Sequence, residues 1–382
     1  FEHDAMNQAV DFLKPFEDDQ VPEVLKRLSE DSEFLTMLSK WRFGWLNRIS
    51  AAGCRCFASV YLKYRFRKIR SISGFQDLMA VFAAELVGYS IQEFRVEGLD
   101  QLEPGKGYLF LSNHRDIACD SMLLNYALHL NGLSTVRTAV GDNLNQIPFV
   151  TDIMRLNKSF FISRSSSSSR QQYAELVAAS VYIRESIQTG QSVWLAQSEG
   201  RAKDGIDRTD ISVLKMLQLS LRKGSVADAL IALNIVPMSL SYEFDPCDEL
   251  KARELTETDE SGIYNKKPGE DLVSLVRGLS GAKGRVVLRL GQLLGNDYAT
   301  LEQVVEEVDR QVLCNATLRP INFFAHQQLY DQELIAGTVE AELMDKDHRS
   351  AFEVKQAGCP EPWREAWLKI YANPVLSSQK YQ

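Results

Sequence analysis

A change of rhythm near residue 93 constrains the fold of this chain more than any other feature. Before it, VPEVLKRLSEDSEFLTMLSKW (21–41) and GFQDLMAVFAAELVGY (74–89) carry apolar residues at three- and four-residue spacing, the pattern of helices with one buried face. After it, short apolar runs alternate with amphipathic stretches. GYLFLSN (107–113) predicts a strand, and DSMLLNYALHL (120–130) a helix closed by Asn131-Gly132. STVRTAVGD (134–142) and KSFFISR (158–164) predict strands, and QQYAELVAASVYIRESIQTG (171–190) an amphipathic helix. The strand SVWLAQSEG (192–200), the helix DISVLKMLQLSLRKG (210–224) and the strand ALIALNIVPMSLSYE (229–243) follow. A polar, charged insertion at 247–270 then precedes a strand in RVVLRLGQLL (285–294), and residues 297–318 and 322–352 are again helical in pattern.

Strands that alternate with helices must cover both faces of a sheet, so the expected class is α/β. The sheet is mixed and largely parallel, flanked by helices, with an N-terminal helical region and a helical C-terminal extension. The expected boundaries are 1–92, 93–318 and 319–382. At 382 residues and 45% hydrophobic, the chain is large enough for a substantial core. Its apolar runs reach only about ten residues, short of the roughly 20 that span a bilayer. The opening FEHDAMNQAVDF is acidic and has no basic segment followed by an apolar one, so no secretory signal is expected. A start without Met is expected of a sequence that begins inside a longer chain. Six scattered cysteines, only Cys54 and Cys56 close together, predict reduced cytosolic thiols rather than disulfides or a zinc site.

The net charge of −8 is unevenly spread. No Asp or Glu occurs from Phe34 to Gln76, where Lys40, Arg42, Arg48, Arg55, Lys63, Arg65, Arg67, Lys68 and Arg70 are interleaved with Trp, Phe and Tyr. A basic, aromatic helical stretch in an acidic protein predicts an anionic partner: a phospholipid surface, an acidic carrier protein or nucleic acid. The alternative is a set of long basic side chains folded over the acidic body.

Three polar clusters fall at the carboxyl ends of predicted strands, where open α/β sheets gather ligands. The first, SNHRDIACD (112–120), places His114 among carboxylates. An imidazole oriented by a carboxylate activates a hydroxyl as a general base. No G-x-S-x-G is present to supply a serine nucleophile, so a bound acceptor hydroxyl is the better proton donor. The second, GDNLNQIPFVTDIMRLNKSFFISR (141–164), carries Arg155, Lys158 and Arg164. The third, SEGRAKDGIDRTD (198–210), sets Arg201, Lys203 and Arg208 around Glu199-Gly200 and Gly205. Cations beside glycines suit a phosphate, since the backbone approaches closely while side chains fork onto the oxygens. Neither G-x-x-x-x-G-K-[ST] nor G-x-G-x-x-G occurs, which argues against nucleotide hydrolysis or dinucleotide binding. His3, His129, His326 and His348 lie in ordinary helical or terminal contexts.

Asn113-His114 with its following acid, then NKSFFISR, SEGRAKDG and IVPMSLSYE, together resemble the four ordered blocks of the glycerolipid acyltransferases, over roughly residues 95–245. That family covers glycerol-3-phosphate and 1-acylglycerol-3-phosphate acyltransferases, and the likeness is to a bacterial subgroup with NHRDI and EGRAKDG blocks. It implies that His114 deprotonates the acceptor hydroxyl, which attacks an acyl thioester directly, and that Asp120 orients the imidazole. Arg155, Lys158, Arg164, Glu199, Gly200, Arg201 and Lys203 would position the acceptor and its phosphate, and Pro237 the acyl-donor side. No metal and no cofactor is implied, with acyl-CoA or acyl-carrier protein as co-substrate. The implied acceptor is 1-acylglycerol-3-phosphate first and glycerol-3-phosphate second, in phospholipid biosynthesis.

Two departures stand out. Five residues separate His114 from Asp120 where the family has four, which leaves Asp116 as the alternative acid. Ser198 stands where a cation is expected. The remaining expectations are an anionic membrane surface met through 40–70, a possible carrier-protein partner, no nucleic acid, and a bacterial cytoplasmic location peripheral to the inner face of the membrane. A non-catalytic lipid-binding relative is the rival, and a hydrolase a third possibility.

Overall fold

The structure is a computed structural model that describes residues 14–142, 145, 147–162, 168–221, 230–258, 261–330 and 346–381. Among the described residues seven strands occur in chain order: β1 (Ile91–Glu97), β2 (Leu109–Ser112), β3 (Arg137–Gly141), β4 (Ser159–Ile162), β5 (Val193–Ala196), β6 (Ile235–Tyr242) and β7 (Gly284–Leu290). The chain divides into two compact units, one of residues 1–82 and 136–182, the other of 83–135 and 183–382.

In the larger unit the strand order is β1-β7-β6-β2-β5. β1 runs parallel to β7, and β2 is parallel to both β5 and β6, while β6 and β7 are antiparallel. The sheet is therefore mixed and mostly parallel, as the alternation of elements predicts. β2 is buried at every position, the uninterrupted apolar run of a strand covered on both faces. The helix that follows it, Cys119–Leu130, buries Leu123, Leu124, Ala127 and Leu128 on one stripe and ends at Asn131 and Gly132, whose φ is +68°.

One local reading changes. The run 229–243 becomes strand only from Ile235, because Asn234 takes a positive φ of 44° and turns its amide onto Gly107 O at 2.9 Å. Within the insertion Asp248–Glu257 is a helix, and a second helix, Glu270–Ser280, leads from it toward β7. Helix Leu301–Cys314 precedes the helical C-terminal extension, which consists among the described residues of Pro320–Tyr330, Lys346–Gly358 and Arg364–Gln379. Phe352, Trp367 and Tyr371 form its aromatic core, with Trp367 and Tyr371 ring centroids 4.9 Å apart.

The smaller unit is helical around a parallel β3–β4 pair. Arg27, on helix Val21–Glu30, forks onto Asp152 with bonds of 2.7 and 2.8 Å, and Phe34 stacks on Phe149 at 5.4 Å. Its helices Ser32–Phe43, Leu46–Ile49 and Ala51–Phe66 carry the basic stretch. There Trp45, Ile49, Phe57, Val60 and Tyr64 remain 58–72% exposed. Among the described residues, no helix is long and apolar enough to cross a membrane.

Candidate active site

β2 ends at Ser112, and buried Asn113 replaces the next rung of the sheet. Its Oδ1 accepts from Leu240 N at 2.8 Å, while Nδ2 donates to Leu240 O and Asp207 Oδ2, both at 3.1 Å. An amide offers donor and acceptor together, so the side chain adds to the backbone bond from Asn113 N to Met238 O at 3.3 Å in tying the chain to β6. His114 thus emerges at the carboxyl end of β2.

His114 Nδ1 lies 2.8 Å from Asp120 Oδ2, and that oxygen also accepts from Arg115 N at 2.7 Å and Asp116 N at 3.0 Å. Asp120 Oδ1 accepts from Tyr242 Oη at 2.8 Å. The loop of five residues therefore wraps around the carboxylate, and its length is no obstacle to the contact. With Asp120 accepting at Nδ1, the ring presents Nε2 as its second nitrogen, which has no hydrogen-bond partner among the described residues. The edge of Trp194 meets the ring at 5.4 Å and 73°. Tyr242, half-buried at the end of β6, has its hydroxyl pKa raised well above the ordinary value by desolvation and by the charge of Asp120.

Asp116 does another job. Its Oδ1 accepts from Ala118 N at 3.0 Å and Cys119 N at 2.8 Å, at the start of the helix. Its Oδ2 is buried against Gly278 without a hydrogen-bond partner. Burial first, then repulsion by Asp120, raises its pKa.

The third cluster folds onto the first. Ala202 N donates to His114 O at 2.8 Å, and Arg115 Nη2 donates to Asp207 Oδ2 at 2.7 Å and Gly205 O at 3.3 Å. Gly200 and Gly205 hold φ of +80° and +78°, and a side chain at Gly205 would strike the carbonyl of Ile370 on the last helix. Arg201 has no hydrogen-bond or ion-pair partner among the described residues, and its Nη1 is sealed from solvent. Lys203 is bound to Glu254 Oε1 at 2.6 Å, Glu199 is exposed, and Arg208 is exposed. Pro237 lies inside β6 opposite Leu111, its carbonyl accepting from Gly291 N at 2.7 Å.

Of the second cluster, Arg155 and Lys158 belong to the smaller unit, and Arg164 lies outside the described residues. Arg155 Nε donates to Lys14 O at 3.0 Å, its guanidinium lies 3.9 Å over the Phe16 ring, and burial lowers its pKa. Lys158 takes a φ of +61°, and burial, aided by Arg137, lowers its pKa to about 8.

Sequence reasoning passed over four residues here: Trp194, Asp207, Tyr242 and Lys251. Buried Lys251 donates to Arg115 O at 2.7 Å and pairs with Asp245, so the insertion braces the His114 loop from behind. Tyr242 closes the fourth block and was visible in SLSYE, but no local signal ties it to an acid 122 residues earlier.

Residues 93–241, which hold His114, Asp120, the third cluster and Pro237, match the Acyltransferase family model. The matched span is similar to acyltransferases that act on glycerol 3-phosphate by name. Over 173 residues, 45% of this chain, the sequence is 25% identical to the glycerol-3-phosphate acyltransferase of Pseudomonas syringae pv. tomato, and covers 20% of that protein. Over 95 residues, 25% of this chain, it is 30% identical to the glycerol-3-phosphate acyltransferase of Pseudomonas savastanoi pv. phaseolicola, and covers 11% of it. The matched segment thus spans about a fifth or less of these curated relatives. Among solved structures, the 1-acyl-sn-glycerophosphate (LPA) acyltransferase PlsC from Thermotoga maritima is a distant likeness. Its TM-score is 0.38 at 14% identity, over 73% of this chain and 92% of that one.

Proposed function

We propose that this acyltransferase domain moves a fatty acyl group from an acyl thioester, acyl-CoA or acyl-carrier protein, to a hydroxyl of a glycerophosphate. The observation that carries the reading is His114, held through Nδ1 by Asp120 and left with Nε2 unpartnered. In the proposed step Nε2 takes the proton of the acceptor hydroxyl as its oxygen attacks the thioester carbonyl. The new C–O bond forms, the C–S bond breaks, and the proton passes from the imidazolium to the departing thiolate. Arg201 and the glycine-rich loop around it receive the acceptor's phosphate, and Pro237 belongs to the acyl-donor side. Arg155, Lys158 and Arg164 are assigned to the acceptor as well, on the strength of the four-block resemblance.

The exposed aromatic and aliphatic side chains between Trp45 and Tyr64, set among cations, favour an acceptor drawn from an anionic lipid surface. For that reason 1-acylglycerol-3-phosphate precedes glycerol-3-phosphate as the proposed acceptor, and the protein is placed at the inner face of a bacterial membrane.

The test is thiol release from acyl-CoA or acyl-carrier protein with each acceptor. Release that requires a glycerophosphate and disappears in folded His114→Ala supports the proposal. Release that survives this substitution overturns the base, release without any acceptor points to a hydrolase, and no release with any pair points to a binding protein.

A further inference from the structure

The charged insertion after β6 lies beyond the matched residues 93–241, and the four blocks leave it without a role. In the structure it lines, together with Arg201, an open pocket of about 260 Å³. That is room for a phosphate and its neighbouring atoms, below the ~300–1,000 Å³ of sites for drug-sized ligands. Arg201 enters from the third cluster, and Arg253, Lys266 and Lys267 from the insertion.

The ion pairs decide which charge is left over. Arg253 is paired with Glu270 at 2.8 Å, Lys266 with Asp271 at 2.6 Å, and Glu254 with Lys203 at 2.6 Å. Both lining acids are therefore matched, whereas Arg201 and Lys267 have no ion-pair or hydrogen-bond partner among the described residues. Arg201, which also feels the charge of Asp116, and Lys267 both line the pocket without a bonded carboxylate and suit an anion with several oxygens. The pocket also adjoins the loop of the base. Arg201 precedes Ala202, which binds His114 O, and lining Lys251 holds Arg115 O.

We propose that this pocket binds a phosphate ester carried by one of the two substrates, and that Lys267 is a binding residue added to the site by the insertion, acting with Arg201. The inference rests on the acyl-transfer reading and extends it, because it assigns phosphate recognition to residues outside the acyltransferase blocks. The phosphate is either that of the glycerophosphate acceptor or that of the phosphopantetheine arm of the donor.

The experiment compares wild type with Lys267→Ala, at an exposed position, and with the charge-preserving Lys267→Arg. Equilibrium binding of inorganic phosphate and glycerol 3-phosphate is measured alongside steady-state kinetics with each substrate varied. Lys267→Ala should lose about tenfold in phosphate affinity, the order of one charge-assisted hydrogen bond, while Lys267→Arg keeps it. A matching rise in KM for the acceptor, with kcat unchanged and KM for an uncharged monoacylglycerol unchanged, assigns the pocket to the acceptor. A rise in KM for the acyl thioester instead assigns it to the donor. Unchanged phosphate affinity together with unchanged KM for both substrates overturns the proposal. The binding arm needs no turnover, so it separates failure of this pocket from failure of the acyl-transfer reading.

Discussion

Tyr242 Oη donates to Asp120 Oδ1 at 2.8 Å, while the other oxygen of Asp120 faces His114 Nδ1. The tyrosine touches neither the base nor its open nitrogen, so it is a positioning residue acting through the acid. Tyr242→Phe removes one hydrogen bond to a charged group and leaves the ring in place. The expected result is a fall in kcat of about tenfold with KM for both substrates unchanged. Wild-type kcat in this variant would show that the three backbone and side-chain donors left on Asp120 suffice.

The two acids of the first cluster separate by substitution. Asp120→Asn puts an amide where the carboxylate holds Nδ1–H, and a ring in the wrong tautomer cannot accept a proton at Nε2. The acyl-transfer rate should drop by about 10³–10⁴, as when the orienting acid of a catalytic triad is made an amide. Asp116→Asn keeps an oxygen for Ala118 N and Cys119 N and should retain most of the rate. Equal losses in the two variants would assign Asp116 a share in the chemistry.

The first cluster was legible because it is local. A strand ending in Asn113-His114, followed by a helix opening on Asp120, puts base and acid within one turn of chain. The α/β alternation was legible for the same reason, since apolar period and turn residues are written within each element. The extra loop residue was not interpretable in advance, because the carboxylate is reached by backbone N–H groups folding around it. Nor were Tyr242, Lys251 and the Arg115–Asp207 pair, which meet the loop only once the sheet is assembled. Helix Glu270–Ser280 sat beyond a stretch rich in charge, and what fixes it is packing: Gly278 against Asp116 and Gly278 O against Cys119 Sγ at 3.3 Å.

Asp116 makes a pH-dependent prediction about stability. Its folded pKa is raised by burial and by Asp120, so the folded state holds the proton to higher pH than the unfolded chain does. The stability this group contributes is full below the unfolded value, about 3.9, and is lost as pH rises through the folded value. Asp116→Asn never carries the buried charge. Its Tm at pH 7 should equal or exceed that of wild type, with the gap closing as pH falls toward 4. A variant much less stable than wild type at pH 7 would show that the charge is needed, with Arg201 the nearest candidate to need it.

Gly205 tests the seat of the C-terminal helix on the third cluster. The residue is buried at φ +78°, and a methyl group there meets the backbone carbonyl of Ile370, which cannot swing aside like a side-chain tip. Asn373 Nδ2 donates to Asp204 O at 2.8 Å beside it. Gly205→Ala combines left-handed strain with overpacking, so it should cost about 1–3 kcal/mol in denaturant unfolding and lower the apparent affinity for glycerol 3-phosphate. A change within 0.5 kcal/mol of wild type would mean that the last helix yields to the methyl group with little resistance.

The surface of helices Leu46–Ile49 and Ala51–Phe66 separates lipid docking from a merely basic exterior. Ile49 is 72% and Phe57 60% exposed, and Arg67 lies over the Tyr64 ring at 4.1 Å, so apolar and cationic groups share one stretch of the smaller unit. Two energies are available to such a surface: about 1 kcal/mol for each basic residue near an anionic membrane, and about 1.5–3 kcal/mol for each large apolar side chain fully buried. Neutralising Arg65, Arg67, Lys68 and Arg70 should weaken binding to anionic vesicles by tenfold or more at low salt, an effect that shrinks as salt is raised. Ile49→Ser/Phe57→Ser should weaken it at every salt concentration, because the lost contribution is apolar. Vesicle sedimentation across a salt series reads both at once. Binding that is unchanged in both variants and insensitive to salt would make this stretch part of the protein's own exterior, and the acceptor would then have to reach His114 from solution.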